Sequence, residues 1–475
     1  GGFVLSREAR AAAVASGDPD IADLAELRGK LPNSAQRTWE AAGGLALVRD
    51  NGSFGVSLAR YDSLYGIPIR YALTPGGEAE AVRLDVRQWR GDLRGEIDIA
   101  SGFAERLLIR GGYADYRHDE LEESGEIGTS FFNDGGEMRV ELAQRRQGAW
   151  GGTIGAQYLF RDFRAEGEEK FVPPTRTRQA SLFTLQTFDF DPLVVEGGLR
   201  VERANVDADA DEDLGTDTFR RRFTAVSGSL GAGFKLGERL RVGLNLTRVE
   251  RAPSAEELYS NGPHAGTQSF EIGDPTFRKE RSTGAELTLR GNGEGYSFDA
   301  SAYYNRYSNF IYQRQTGEVE DDLPVFLYQQ GRATQRGFEV EGRARLVRRG
   351  TAGLWLTGLA DYTRINIRDS GPAPLVPPLR FIGGVEYVAE ALTGGVEVER
   401  STRQNRNAPG ETETPGFTLV NASLAFRPFG PDGFVTFNLS ANNIFDVEAR
   451  RHSSLLKDFA PLSGRDIRVG AHVRF

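Results

Sequence analysis

Taken two at a time, the last eleven positions separate into two faces. Ile467, Val469, Ala471, Val473 and Phe475 are apolar, whereas Asp466, Arg468, Gly470, His472 and Arg474 are polar or small. A period of two predicts a strand with one apolar face. The same alternation recurs upstream. Leu240, Val242, Leu244 and Leu246 alternate with Arg241, Gly243, Asn245 and Thr247. Val435, Phe437, Leu439 and Ala441 alternate with Thr436, Asn438, Ser440 and Asn442, and Tyr296 to Tyr304 follows the rule with Tyr303 as its exception. Many such runs exceed the roughly ten residues that a tilted strand needs to cross a bilayer. A terminal strand must pair on both edges or leave one sticky, which points to a closed wall.

The connections have a rhythm of their own. Short ones at Asn51-Gly52, Gln147-Gly148, Asp191-Pro192, Gly291-Asn292-Gly293, Arg349-Gly350, Gly394-Gly395 and Pro431-Asp432-Gly433 alternate with long ones near 62–80, 118–135, 164–176, 206–217, 251–279, 313–325, 366–377, 404–415 and 444–463. Tight turns at one end and long loops at the other predict an all-β, transmembrane antiparallel β-barrel over 38–475. Residues 1–37 read as an extracellular loop segment with short helical turns, broken at Gly17-Asp18-Pro19 and ended at Leu31-Pro32-Asn33. The strands number about nineteen, whereas such barrels carry an even number with both ends periplasmic. The expectation is therefore that an N-terminal part, at least one strand, lies outside this sequence. It leaves an open seam beside the last strand, or one filled by a second polypeptide.

Composition narrows the functional classes. Mean hydropathy is −0.43, and no apolar run reaches the roughly 18 residues of a membrane helix, which excludes helical membrane proteins only. The chain has no cysteine, hence no thiolate chemistry, and its net charge of −9 argues against nucleic-acid partners. No signal peptide opens it, so the start reads as mature or trimmed. No metalloprotease, phosphate-loop or nucleophile motif is present, and the expectation is no enzyme.

Two segments carry a resemblance. Arg251-Ala252-Pro253, then Glu257-Leu258-Tyr259, Asn261, His264, Glu271, Gly273-Asp274-Pro275 and Glu280 form one, and Asn442-Asn443-Ile444-Phe445-Asp446 forms the other. Together with the terminal Phe475 they resemble the TonB-dependent outer-membrane receptors, in order over 240–475. The resemblance implies a barrel of 22 strands, three of them and a plug domain outside this sequence, in the outer membrane of a Gram-negative bacterium. It implies a receptor that captures a scarce solute at its outer loops and imports it with TonB-supplied energy. Arg251, Pro253, Glu257, Tyr259, Asn261, His264 and Glu271 become its candidate loop motif. Val473 and Phe475 become the signal to the barrel-assembly machinery.

Residues 260–264 and 450–458 look closest to the zinc-uptake receptors, although four histidines in all are few for them. His118, His264 and His452 are the candidate zinc ligands. Import of zinc or another transition metal is one expectation, a ferric siderophore or other organic nutrient the second, and a surface-anchoring barrel for partner proteins the third. Asp207, Asp209 and Asp211 begin like a calcium loop, but Glu212 and Thr218 break the pattern. No cofactor is expected beyond zinc or calcium at outer loops. Lipopolysaccharide phosphates are candidate partners of the acidic loop and of Arg220, Arg221 and Arg222, for which simple charge pairing is the blander reading.

Overall fold

The computed structural model describes residues 2–474 except Glu78, Glu80 and Ala265. Phe475 therefore lies outside the described residues. The strands are β1 Gln36–Arg49, β2 Gly52–Gly66, β3 Arg83–Asp98, β4 Ala104–Leu121, β5 Ile127–Gln144, β6 Trp150–Gly167, β7 Thr175–Asp189, β8 Leu193–Ala208, β9 Phe219–Lys235, β10 Leu240–Arg251, β11 Asn261–His264 and β12 Ser269–Ile272. They continue as β13 Glu280–Gly293, β14 Tyr296–Glu320, β15 Leu323–Arg349, β16 Ala352–Ile367, β17 Gly371–Pro372, β18 Arg380–Val388, β19 Leu392–Ser401, β20 Phe417–Phe426, β21 Val435–Asn442 and β22 Asp466–Val473. The three short strands β11, β12 and β17 belong to loops, which leaves nineteen in the wall.

Each wall strand pairs antiparallel with the next, from β1–β2 to β21–β22. The alternation predicted from sequence sorts onto two surfaces. Leu244↔Leu287, Val385↔Val396, Leu424↔Leu439 and Leu439↔Val469 lie opposite one another, and these residues form an exposed apolar belt suited to lipid. The other face lines a lumenal cavity of about 990 Å³ with Glu286, Arg290, Asp299, Glu341, Asp361 and Arg380. Gly52 makes the first tight turn: its φ is +152°, and a Cβ there would stand 2.2 Å from the Glu96 carbonyl oxygen.

The wall has a seam. Nineteen strands joined by antiparallel steps make β1 and β22 run the same way, so an antiparallel ladder cannot join them directly. Among the described residues no pairing does. All of β1 and nearly all of β22 are exposed, with Leu45 at 82% and Val469 at 81%.

Two expected long loops are instead strand. β4 and β5 continue to 121 and from 127, and β14 and β15 meet at a two-residue turn, Asp321-Asp322, both with positive φ. Above the membrane neither face meets lipid, so the ladder persists after the apolar period has ended. Gly394-Gly395 is not a turn but lies in β19, opposite Tyr387 and Glu386; the turn precedes it at 389–391. Likewise the turn expected at Gly291-Asn292-Gly293 falls one step later, at 294–295.

Residues 2–35 fold as α1 Arg7–Ala15, α2 Pro19–Asp23 and a short 3-10 turn, Leu24–Glu26. Ser6 caps α1 and Asp18 caps α2. Val4, Leu5, Ala9, Ala13 and Ala25 form a small core against Tyr71 and Leu73 of the 67–82 loop.

Candidate functional site

The 252–279 loop turns inward rather than out. Ser254 and Glu257 form a capping box for α3, Ala255–Tyr259. Ala255, Leu258 and Tyr259 are buried against the inner faces of β8 and β9, where Ala204, Val206 and Phe223 meet them. The Tyr259 hydroxyl donates to the Val206 carbonyl at 2.7 Å, and its ring stacks on Phe219. Arg251 grips Glu257 through two bonds of 2.8 Å and also reaches Glu280 at 3.3 Å. Pro253 is fully buried. Gly273 allows the close return of the chain, since a Cβ there would stand 2.8 Å from the Leu258 carbonyl carbon. Most of the side chains of this motif thus shape the loop.

What the loop presents is the hairpin β11–β12, which pairs parallel with the extension of β15 through Phe270↔Val325. Asn261 is fastened by its amide to Leu214 and by its backbone to Phe171. His264 Nδ1 is 2.9 Å from Glu271 Oε1. Glu271 also accepts from Thr267, Gln313 and Tyr328. Burial alone would raise this carboxyl, but His264 and these hydroxyls outweigh it and hold it below the usual range. The ring of His264 stacks on Phe171 at 4.0 Å, and His118 stacks on Phe131 at 4.5 Å. Phe131 and Phe171 are 6.2 Å apart, so the two histidines end one aromatic column. His118 Nδ1 is buried without a hydrogen-bond partner, while its Nε2 is 3.9 Å from Glu120 Oε1.

His452 lies elsewhere, 3% exposed in the 443–465 loop. Its Nδ1 bonds the Thr414 hydroxyl at 2.8 Å and is 3.4 Å from Lys457 Nζ. Its Nε2 is 3.0 Å from Glu411 Oε1, without hydrogen-bond alignment. Burial would raise Glu411, yet His452, two backbone amides and Lys457 hold it at about 2. Arg450, 6% exposed, donates to the carbonyls of Phe3, Val4 and Lys457, and Asp458 takes the hydroxyls of Ser6 and Thr412. The 450–458 stretch therefore locks the N-terminal segment to two loops. Asn443 anchors the same loop, bonding Val447 through both its Oδ1 and Nδ2.

His118 and His264 are brought to one neighbourhood and His452 is not. No group of three or more His, Asp or Glu placed to hold a metal occurs among the described residues. Val473 sits in β22 opposite Val435. In the acidic 206–217 stretch, Asp211 and Asp213 pair with Lys170, and Asp209 pairs with Arg176 and Arg220. Sequence reasoning missed the aromatic column and the Arg450 lock. Only the crowding of Arg450, His452, Lys457 and Asp458 in nine residues signalled the lock.

Several solved structures share the fold. A copper transporter, OprC, is 16% identical with a TM-score of 0.78, covering 93% of this chain and 72% of that one. An FrpB iron transporter of Neisseria meningitidis is 14% identical at 0.75, covering 95% and 74%. The ferric citrate transporter FecA in unliganded form is 16% identical at 0.69, covering 94% and 71%. A wall with an apolar outer belt and a polar lumen is that of an outer-membrane barrel. With residues 29–444 matching the family model "TonB dependent receptor-like, beta-barrel", the chain belongs to the TonB-dependent receptors.

Proposed function

We propose that this barrel imports a transition metal already held in an organic chelate. The observation that supports this reading is the aromatic column of His118, Phe131, Phe171 and His264, beside which Tyr328 and Gln313 bond Glu271. These rings and polar groups offer surfaces for an organic shell, while His452 is buried among Thr414, Glu411 and Lys457. Neighbours of the same fold include a ferric-catecholate receptor and a ferric citrate transporter. The test compares a deletion strain with its complemented parent for uptake of isotopically labelled ferric chelates and of labelled zinc. Loss of one chelate with zinc uptake unchanged supports the reading.

A second reading, uptake of free zinc, rests on the space around Gly266, where His264 Nε2 and Glu120 Oε1 both approach and where His118 ends its column. It predicts zinc uptake that falls in the deletion strain and is not restored by a His118→Ala/His264→Ala double variant.

The seam carries a proposal of its own. An odd number of strands, three by the family count, inserts between β1 and β22, supplied by a segment preceding residue 1 that also carries the plug gripped by TonB. Disulfide trapping between that segment and cysteines placed in β1 and β22 tests it, and failure to trap at either edge contradicts it.

A further inference from the structure

The outer rim of β14–β16 carries arginines that pair with no acidic side chain among the described residues. Glu339, Glu341 and Asp361 line the lumen, so the alternate residues Phe338, Val340, Tyr362 and Arg364 face outward. Along this outward face the register runs Ala300↔Val340↔Ala360, then Ala302↔Phe338↔Tyr362, then Tyr304↔Arg336↔Arg364. The wall thus passes from apolar belt, through an aromatic girdle in which Phe338 and Tyr362 lie 6.1 Å apart, to arginine within three rows. That is the level of the lipid headgroups.

Two like charges directly opposite in a ladder are unfavourable by themselves. Here Arg336 and Arg364 are opposite, and Arg406 of the 402–416 loop joins them. Burial and the field of Arg364, then that of Arg336, lower the affinity of Arg406 for its proton, with Tyr362 acting the other way. The nearby acids are spent on others: Asp361 pairs with Arg380 and Glu413 with Arg403. Arg336, Arg364 and Arg406 have no acidic partner among the described residues. Beyond them stand Arg332 and Arg368, both exposed and joined by a backbone bond of 2.7 Å. A second station repeats the pattern. Leu182↔Val201↔Val226 is followed two rows out by Arg178↔Asn205↔Arg222, with Arg178 and Arg222 exposed. Of the arginines at 220–222, Arg220 pairs with Asp209 and Arg221 turns inward to the Phe277 carbonyl, while Arg222 remains outward.

We infer that the outward face of β15 and β16, completed by Arg406, binds a phosphorylated headgroup of an outer-leaflet glycolipid. Guanidinium groups suit phosphate oxygens in bidentate geometry. The acyl chains of the same molecule would lie on the exposed Val340 and Leu356 directly below, which a free phosphate would leave unused.

The purified full chain is equilibrated with bisphosphoryl lipid A in detergent, and bound lipid is counted by native mass spectrometry. The wild-type chain retains lipid A, and an Arg336→Gln/Arg364→Gln/Arg406→Gln variant retains about tenfold less. Arg348→Gln, at the opposite end of the wall beside Glu294, retains as much as wild type. A triple lysine variant, which keeps the charge, covers the case in which the glutamine variant does not fold; it retains an intermediate amount, and folding is read from heat-dependent gel mobility. Equal retention of dephosphorylated lipid A, displacement of the lipid by equimolar inorganic phosphate, or undiminished binding by a folded triple variant of either kind would overturn the inference.

Discussion

Two histidine–glutamate pairs at the outer end of this barrel meet at close range, 2.9 Å for His264 and Glu271 and 3.0 Å for His452 and Glu411, and they do different work. In the 252–279 loop, His264 meets Glu271 on a hairpin whose histidine side chain is 24% exposed and stacked on Phe171. In the 443–465 loop, His452 meets Glu411 with 1% of its side chain exposed, sealed by Lys457 and Thr414. The same two residue types in contact do not specify a role; the remaining partners do. Around Glu271 these are neutral groups, Thr267, Gln313 and Tyr328, that a visiting solute could replace. Around Glu411 they are a buried cation and backbone amides, whose loss would leave charge stranded.

The difference can be broken at several points. Arg450→Ala removes donors to three carbonyls and is expected to cost about 3 kcal/mol; limited proteolysis then cuts within residues 3–31 while the barrel stays intact. Glu411→Gln strands Lys457 and His452 and costs about 2 kcal/mol, read as the same cleavage at a slower rate. Its pH dependence has a defined sign. Glu411 sits at about 2 in the folded chain, below the roughly 4.3 of a free glutamate, so its stabilisation is complete above that value and is lost as pH falls toward 2. Cleavage of the N-terminal segment should therefore rise below about pH 4.

Smaller effects are expected on the other side. Tyr259→Phe leaves the Val206 carbonyl without its donor and costs about 1 to 2 kcal/mol, seen as faster hydrogen exchange in α3. Ser254→Ala removes one half of the capping box and costs about 1 kcal/mol, with exchange increased at the amide of Glu257.

Much of the wall was legible because its physics is local. A period of two survives in any strand with one face toward lipid, and Leu240 to Thr247 or Val435 to Asn442 could be read from that alone. The hairpin above the membrane was not legible. From Gln313 to Glu320 no environment imposes alternation, although the ladder with β15 continues. The loop motif was legible in the sequence, but what its residues do depends on distant partners, Tyr259 on Val206 and Asn261 on Leu214, as the role of Arg450 depends on Phe3 and Val4. Contacts spanning from 47 to 447 residues leave no periodic trace. The histidines show the consequence, since His118 and His264, far apart in sequence, are joined through Phe131 and Phe171.

The account turns on whether these histidines bind the cargo or build the loops that receive it. The direct measurement is uptake of labelled metal by cells expressing the His118→Ala/His264→Ala double variant, supplied once as free zinc and once as ferric chelates. The account predicts that the double variant matches wild type for zinc and that a ferric chelate enters in a barrel-dependent manner. Barrel-dependent zinc uptake abolished by the double substitution, with ferric chelates unaffected by deletion of the barrel, would contradict it.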